Sequence, residues 1–241
     1  MNQAITLIML LCVAAFAQQK GTLTDPRDGK KYKTVKIGTQ TWMAENLNYA
    51  SEGSRCYDGK PENCNKYGRL YFWKDALEVC PTGWHLASKK EWKELWEQGR
   101  TENNLKAKSG WNKYDFSEKN PNNPQCKLTV QVPVYDDYDR PMVDRNGRAK
   151  MRNYVHDYCN TDKFGFSALP SGRGRVNDKG INFNSAGNIT CWWTFQNGAW
   201  NGSSYNINEG AEEMSFNNGK TGASCTLYSD DIYSVRCIQD N

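Results

Sequence analysis

Histidine is all but missing: His85 and His156 are the two in 241 residues, so a three-histidine zinc centre is excluded and acid–base chemistry near neutral pH has little to draw on. Core or turn roles are expected for both, with a ring nitrogen of His85 held by backbone in its turn. Leu, Ile, Val and Phe are also sparse, a deficit that in a highly charged chain signals disorder. Here the net charge is only +4 and aromatic residues make up 12% of the chain. The deficit therefore predicts a core of Trp and Tyr, whose polar ends need partners, so ring-to-backbone hydrogen bonds should be frequent. Neither an internal repeat nor a long linker interrupts the sequence, which predicts one domain with elaborated loops. No apolar run reaches the roughly 20 residues that a bilayer-spanning helix takes, so no transmembrane span is expected.

Residues 1–17 carry no charged side chain, run apolar from Ala4 to Ala17 and end Ala15-Phe16-Ala17. That small-x-small ending predicts a signal peptide over 1–17 and a mature domain over 18–241. Leu11 precedes Cys12 where a lipoprotein signal has a small residue, so no lipid anchor is expected. Of nine cysteines, Cys12 falls in the leader, which leaves eight. An even number in an exported chain predicts full pairing and an extracellular, cell-surface or periplasmic setting. Eight cysteines admit about 105 connectivities, and spacing alone does not choose among them.

Along the chain, a turn at Asp28-Gly29 joins strand-like segments that hold Tyr32, Val35 and Ile37, with Trp42 following. Residues 51–66 are polar and rich in turn formers, and read as a surface excursion. Trp73, Ala76, Leu77 and Cys80 recur at helical spacing before Pro81 and Gly83 break the run. Ser88 and Glu91 have the form of a capping box, followed by a stripe of Trp92, Leu95 and Trp96. An insertion is expected at about 111–162. In it Leu128, Val130, Val132 and Val134 alternate with polar residues and Pro133, an edge-strand pattern, and Asn146-Gly147 predicts a hairpin turn with a basic tip. Short apolar runs from Phe164, Ile181, Ile189, Cys225 and Ile232 onward predict a small, loop-rich antiparallel sheet.

The helix pair resembles the opening of C-type lectin-like domains, on Trp73, Ala76, Cys80, Gly83, Leu86, Ala87 and Ser88, with Cys237 near the end. Four segments resemble more specifically the Fibrobacter succinogenes major paralogous domain family. They are Gln40-Thr41-Trp42-Met43-Ala44-Glu45-Asn46-Leu47-Asn48-Tyr49, Lys66-Tyr67-Gly68-Arg69-Leu70-Tyr71, Gly165-Phe166-Ser167-Ala168-Leu169-Pro170 and Ser234-Val235-Arg236-Cys237. The turn Gly83-Trp84-His85-Leu86 with Glu91-Trp92 is similar to formylglycine-generating enzymes. These resemblances imply an α+β fold of C-type lectin-like form, two short helices on a small antiparallel sheet with long disulfide-stapled loops. Together with proximity along the chain they imply the pairs Cys56–Cys64, Cys80–Cys237, Cys126–Cys159 and Cys191–Cys225.

The sugar-binding signatures of calcium-dependent lectins, Glu-Pro-Asn or Gln-Pro-Asp with Trp-Asn-Asp, are absent; Trp200-Asn201-Gly202 keeps two residues and lacks the carboxylate. Asp136, Asp137, Asp139 and Asp144 fit no twelve-residue calcium loop and read as a solvated acidic loop, so neither metal nor cofactor is expected. On the strand Ile189–Phe195 neighbours face opposite ways, so Cys191, Trp193 and Phe195 take the core face and Trp192 the other. Trp192, with Trp200 and Tyr205, is the candidate stacking platform for a sugar ring; against it stands burial of Trp192 beneath a loop, the commoner fate of a tryptophan in an aromatic-rich fold. Arg173 and Arg175 are the candidate contacts for anionic groups, and Arg145, Arg148, Lys150 and Arg152 form a further basic patch that a solvated face also explains. The expectation is a secreted or cell-surface, non-catalytic binding domain whose partner is a polysaccharide or a surface protein, with no nucleic acid. A self-assembling envelope component and an enzyme related to formylglycine-generating proteins, which would need a free thiol, are the alternatives.

Overall fold

The computed structural model describes residues 19–112, 127–136, 140–157, 160–195, 211–217, 225, 228 and 230–240. The signal peptide expected over 1–17, Cys126, Cys159, Trp200 and Tyr205 lie outside the described residues.

Strands β1 (Lys20–Thr24), β2 (Lys31–Ile37) and β3 (Gln40–Met43) form an antiparallel meander, with strand structure on both sides of the expected Asp28-Gly29 turn. Its first turn is closed by Gly29, whose amide donates to the Asp25 carbonyl and whose φ is 72°. Tyr32, Val35 and Ile37 point inward from β2. A 3-10 turn at Tyr57–Gly59 then leads into α1 (Pro61–Tyr67), a helix in the stretch where the sequence predicted a polar loop. Pro61 sits in its first turn, where a missing amide hydrogen costs nothing, and only Cys64 and Tyr67, three residues apart, are buried. The polar majority of α1 hides its period.

Next come β4 (Leu70–Phe72), α2 (Trp73–Ala76), β5 (Trp84–Leu86) and α3 (Lys89–Gly99). The first predicted helix is thus a single turn. Pro81 disfavours helical geometry at Cys80, so Val79 and Cys80 pack as irregular backbone. The capping box at α3 forms as expected: the Glu91 amide donates to Ser88 Oγ, and the Ser88 amide donates to the Glu91 carboxylate at 2.7 Å.

Strands β6 (Lys127–Pro133) and β7 (Met151–Asp157) pair antiparallel as a two-stranded ribbon within the predicted insertion span. Its turn runs from Asp144 to Gly147, whose φ is 76°. The chain finishes with β8 (Arg173–Asn177), β9 (Gly180–Asn184), β10 (Ile189–Phe195), β11 (Ala211–Asn217), β12 (Asp231–Ser234) and β13 (Cys237–Gln239).

One sheet has the order β1-β2-β3-β13-β5, and a second has the order β11-β10-β12-β8-β9 with β4 also on β12. Pairing is antiparallel except between β10 and β12, which meet in parallel at Trp192 and Ser234. The expected all-antiparallel second half is corrected at that point. The run from Phe164 to Leu169 forms no regular strand; it is held by a bridge between Lys106 and Ala168. The whole is an α+β arrangement with three disulfides among the described residues, Cys56–Cys64, Cys80–Cys237 and Cys191–Cys225.

Strand β10 lies between two aromatic cores. On one side Trp193 packs with Trp73, Tyr71, Tyr233 and Leu86. On the other, Trp192 packs with Trp42, Trp92, Phe166 and Phe216. The predicted ring-to-main-chain bonds are present: Trp193 Nε1 donates to the Tyr71 carbonyl at 2.7 Å, Trp111 Nε1 to Ala168 at 3.0 Å and Tyr71 Oη to Tyr49 at 2.8 Å. Trp92 Nε1 is an exception, buried with no hydrogen-bond partner among the described residues.

Candidate functional site

Trp192 is not a surface platform: it is 0% exposed. A sheet with one solvated face would have left it outward, but α3 and Phe216 cover that face and convert it into a second core. The indole Nε1 of Trp192 donates to Asn46 Oδ1 at 2.8 Å. Arg175 is also engaged, its guanidinium 2.6 Å from buried Asp231 and stacked 3.8 Å over the Tyr228 ring. Arg173 Nε donates to Asn184 at 3.2 Å. These two arginines sit on β8, between β12 and β9, and do not meet Trp192.

A concavity lies elsewhere. It is an open cleft of about 330 Å³ walled by the start of β2, the Ala44–Asn48 segment after β3, the end of α1, and the Ser167–Leu169 turn. Lys30, Lys31, Lys33, Lys66 and Arg236 line it with a single carboxylate, Glu45. Five cations line it against one anion, an excess of positive charge at its walls. Lys30 reaches Asp28 at 3.0 Å and Lys33 lies 3.8 Å from Glu45, while Lys66 lies 4.6 Å over the Tyr67 ring.

Backbone geometry draws these walls together. Gly68, at φ 78°, brings the end of α1 against the Asn46-Leu47 main chain; a Cβ there would stand 2.7 Å from the Asn46 Cβ and 2.9 Å from two carbonyl oxygens. Asn46 is the hub that results. Its amide nitrogen donates to the Tyr67 carbonyl at 2.9 Å, and its oxygen accepts from Trp192 and from Arg236 Nε and Nη2 at 3.1 and 2.8 Å. Opposite, Ser167 holds φ 54°, and its amide and hydroxyl both donate to the Asp162 carboxylate.

At the floor is Arg236, 1% exposed, in the short link between β12 and β13. Its Nη1 donates to the Phe166 carbonyl, and its carbon lies 4.3 Å from the Phe166 ring centre and 5.6 Å from that of Trp192. Burial pulls the guanidinium down to about 9, against the opposing pull of Glu45 and Asp162 from farther off. It stays cationic at neutral pH. Sequence reasoning had Arg236 in view only as part of a resemblance. The signal it passed over is a charged residue inside the apolar run Ile232–Ile238, where a lone cation is costly to bury.

His85 departs from expectation too. Its Nδ1 lies 2.6 Å from Asp240 and its Nε2 2.9 Å from Glu91, both carboxylates rather than backbone. The hydrogen bond to Glu91 raises its pKa, burial opposes the rise, and Asp240 adds to it. With both ring nitrogens occupied, this is a pinned charge pair at the start of α3 and not a ready general base. Among the described residues no group of three or more histidine, cysteine or acidic side chains is placed to hold a metal, and no helix is long and apolar enough to cross a membrane.

Residues 35–239 match the family described as Fibrobacter succinogenes major domain. No curated protein and no solved structure matches the chain.

Proposed function

The chain belongs to the Fibrobacter succinogenes major domain family, and from that footing we propose that it is an exported, non-catalytic binding domain that takes a carbohydrate in the cleft over Arg236. One observation carries the reading: an open, cation-lined cavity of about 330 Å³, within the size range of small-ligand sites, is built on the buried hydrogen bonds of Asn46 and Arg236. The Cys56–Cys64 bond anchors α1, which forms one wall. Three disulfides fit an extracellular or periplasmic protein, and export by residues 1–17 is part of the same proposal. A lectin-like architecture is supported by the Cys80–Cys237 bond, which ties the segment after α2 to β13.

A polysaccharide array probed with wild type and with Asn65→Trp tests the reading. Asn65 is an exposed residue on the cleft wall, and an indole there should obstruct entry and weaken any bound polysaccharide at least tenfold. Unchanged binding by the variant, or no binding at all by wild type, would discard the cleft. Self-assembly is a second reading, favoured by Tyr135, Met142, Val143 and Met151, all exposed along the ribbon. A sedimentation coefficient that rises with concentration in wild type but stays flat in Met142→Lys/Val143→Lys is its signature.

A further inference from the structure

The cleft floor holds a buried positive charge with no carboxylate in ion-pair range among the described residues, Glu45 and Asp162 acting on it only from farther off. A guanidinium taken out of water is ordinarily matched by a carboxylate, because the desolvation penalty is several kcal/mol. Arg236 has no ion-pair partner among the described residues; its three hydrogen bonds go to neutral oxygens, two to Asn46 and one to the Phe166 carbonyl. Five N–H groups are available on an arginine. One N–H on each terminal nitrogen therefore has no acceptor among the described residues. The rings of Phe166 and Trp192 favour a cation without cancelling its charge.

Were the charge only a structural filler, the surrounding surface would be expected to compensate it. The opposite is found. Lys31 and Lys66 flank the same cleft with no carboxylate in ion-pair range among the described residues, and the one lining acid, Glu45, is turned to Lys33, whose amide donates to it at 2.8 Å.

We infer that the cleft floor is a subsite for an oxyanion group carried by the ligand, a carboxylate or a phosphate ester, with Arg236 as its central donor and Lys31 and Lys66 as its flanking charges. This rests on the cleft being the binding face. The two remaining N–H groups, one on each terminal nitrogen, suit a group with two or more oxygens, the fork recognition that distinguishes arginine from lysine. An acidic sugar meets the requirement through a uronate carboxylate or a sugar phosphate.

Calorimetric titration of the full chain with trigalacturonic acid, with its methyl ester and with glucose 6-phosphate tests the inference. The acid should bind at least tenfold tighter than the ester, and more weakly as salt rises. Lys31→Glu/Lys66→Glu, exposed on the rim, should bring the acid down to the affinity of the ester and so remove that preference, and Arg236→Gln should do the same if it folds. The Nε resonance of Arg236, followed by NMR in the wild type, supplies a readout that needs no variant and should shift with the anionic probes alone. A phosphate preferred over the carboxylate identifies the source of the oxyanion and keeps the subsite. Equal binding of acid and ester overturns the subsite and leaves the cleft standing. Binding of no probe overturns both, and an acid preference indifferent to the rim charges with an unmoved Arg236 resonance places the anion elsewhere and overturns the subsite.

Discussion

Single side chains in this protein do work that their neighbours cannot replace, and Asn46 is the plainest case. Its oxygen serves Trp192 and Arg236 together, so Asn46→Ala strands a buried indole and a buried cation at once. At about 1–3 kcal/mol for each orphaned donor, the loss should be about 3 kcal/mol, read as a lowered urea midpoint. His85 makes a pH-dependent contribution. The hydrogen bond to Glu91 holds its folded pKa above the ordinary 6.5, with Asp240 helping against burial. Its stabilisation is therefore full below that ordinary value and fades as pH rises through the folded one. Glu91 runs the other way: desolvation pushes it up, but the bonds from His85 and Ser88 hold it lower, so its share is lost as pH falls through its depressed value. The difference in melting temperature between wild type and His85→Gln should be greatest in mildly acidic solution and shrink toward alkaline pH. A constant difference across that range would remove the charge pairing from the account.

At the scale of elements, what the sequence disclosed depended on whether local chemistry was self-sufficient. The box at α3 needs only Ser88 and Glu91, and it forms as the sequence implies; Ser88→Ala should cost about 1 kcal/mol, measurable as a shift in thermal midpoint. Strands β2 and β3 were legible for the same reason, as apolar positions bounded by turn residues. Helix α1 was not, because its inward surface amounts to Cys64 and Tyr67, too few to impose a period. Trp192 was misplaced for a different cause. Alternation along β10 correctly separated it from Trp193, yet whether the second face meets water depends on α3 and β11, which come from distant parts of the chain. No local pattern reports that. The cleft was hidden likewise: Lys31, Asn46, Lys66, Ser167 and Arg236 come from five separate stretches.

For the molecule as a whole, crosslink position sets the ranking of effects. The Cys80–Cys237 bond spans 157 residues and the Cys56–Cys64 bond spans 8. In the chain-entropy picture they are worth about 5 and about 2.5 kcal/mol, so Cys80→Ala/Cys237→Ala should lower stability well beyond Cys56→Ala/Cys64→Ala in equilibrium denaturation under non-reducing conditions. The disulfide pattern was readable where a family resemblance assisted, and three pairs agree with it; Cys126 and Cys159 fall outside the described residues. The link from β12 to β13 has a further consequence. Strand β12 lies against β4, β8 and β10, and two residues later β13 enters between β3 and β5. Each sheet takes one interior strand from this stretch, β13 in the first and β12 in the second, so neither is complete without residues 231–239. That short link therefore rivets two layers together, and cutting the backbone within it would loosen both of them from a single point.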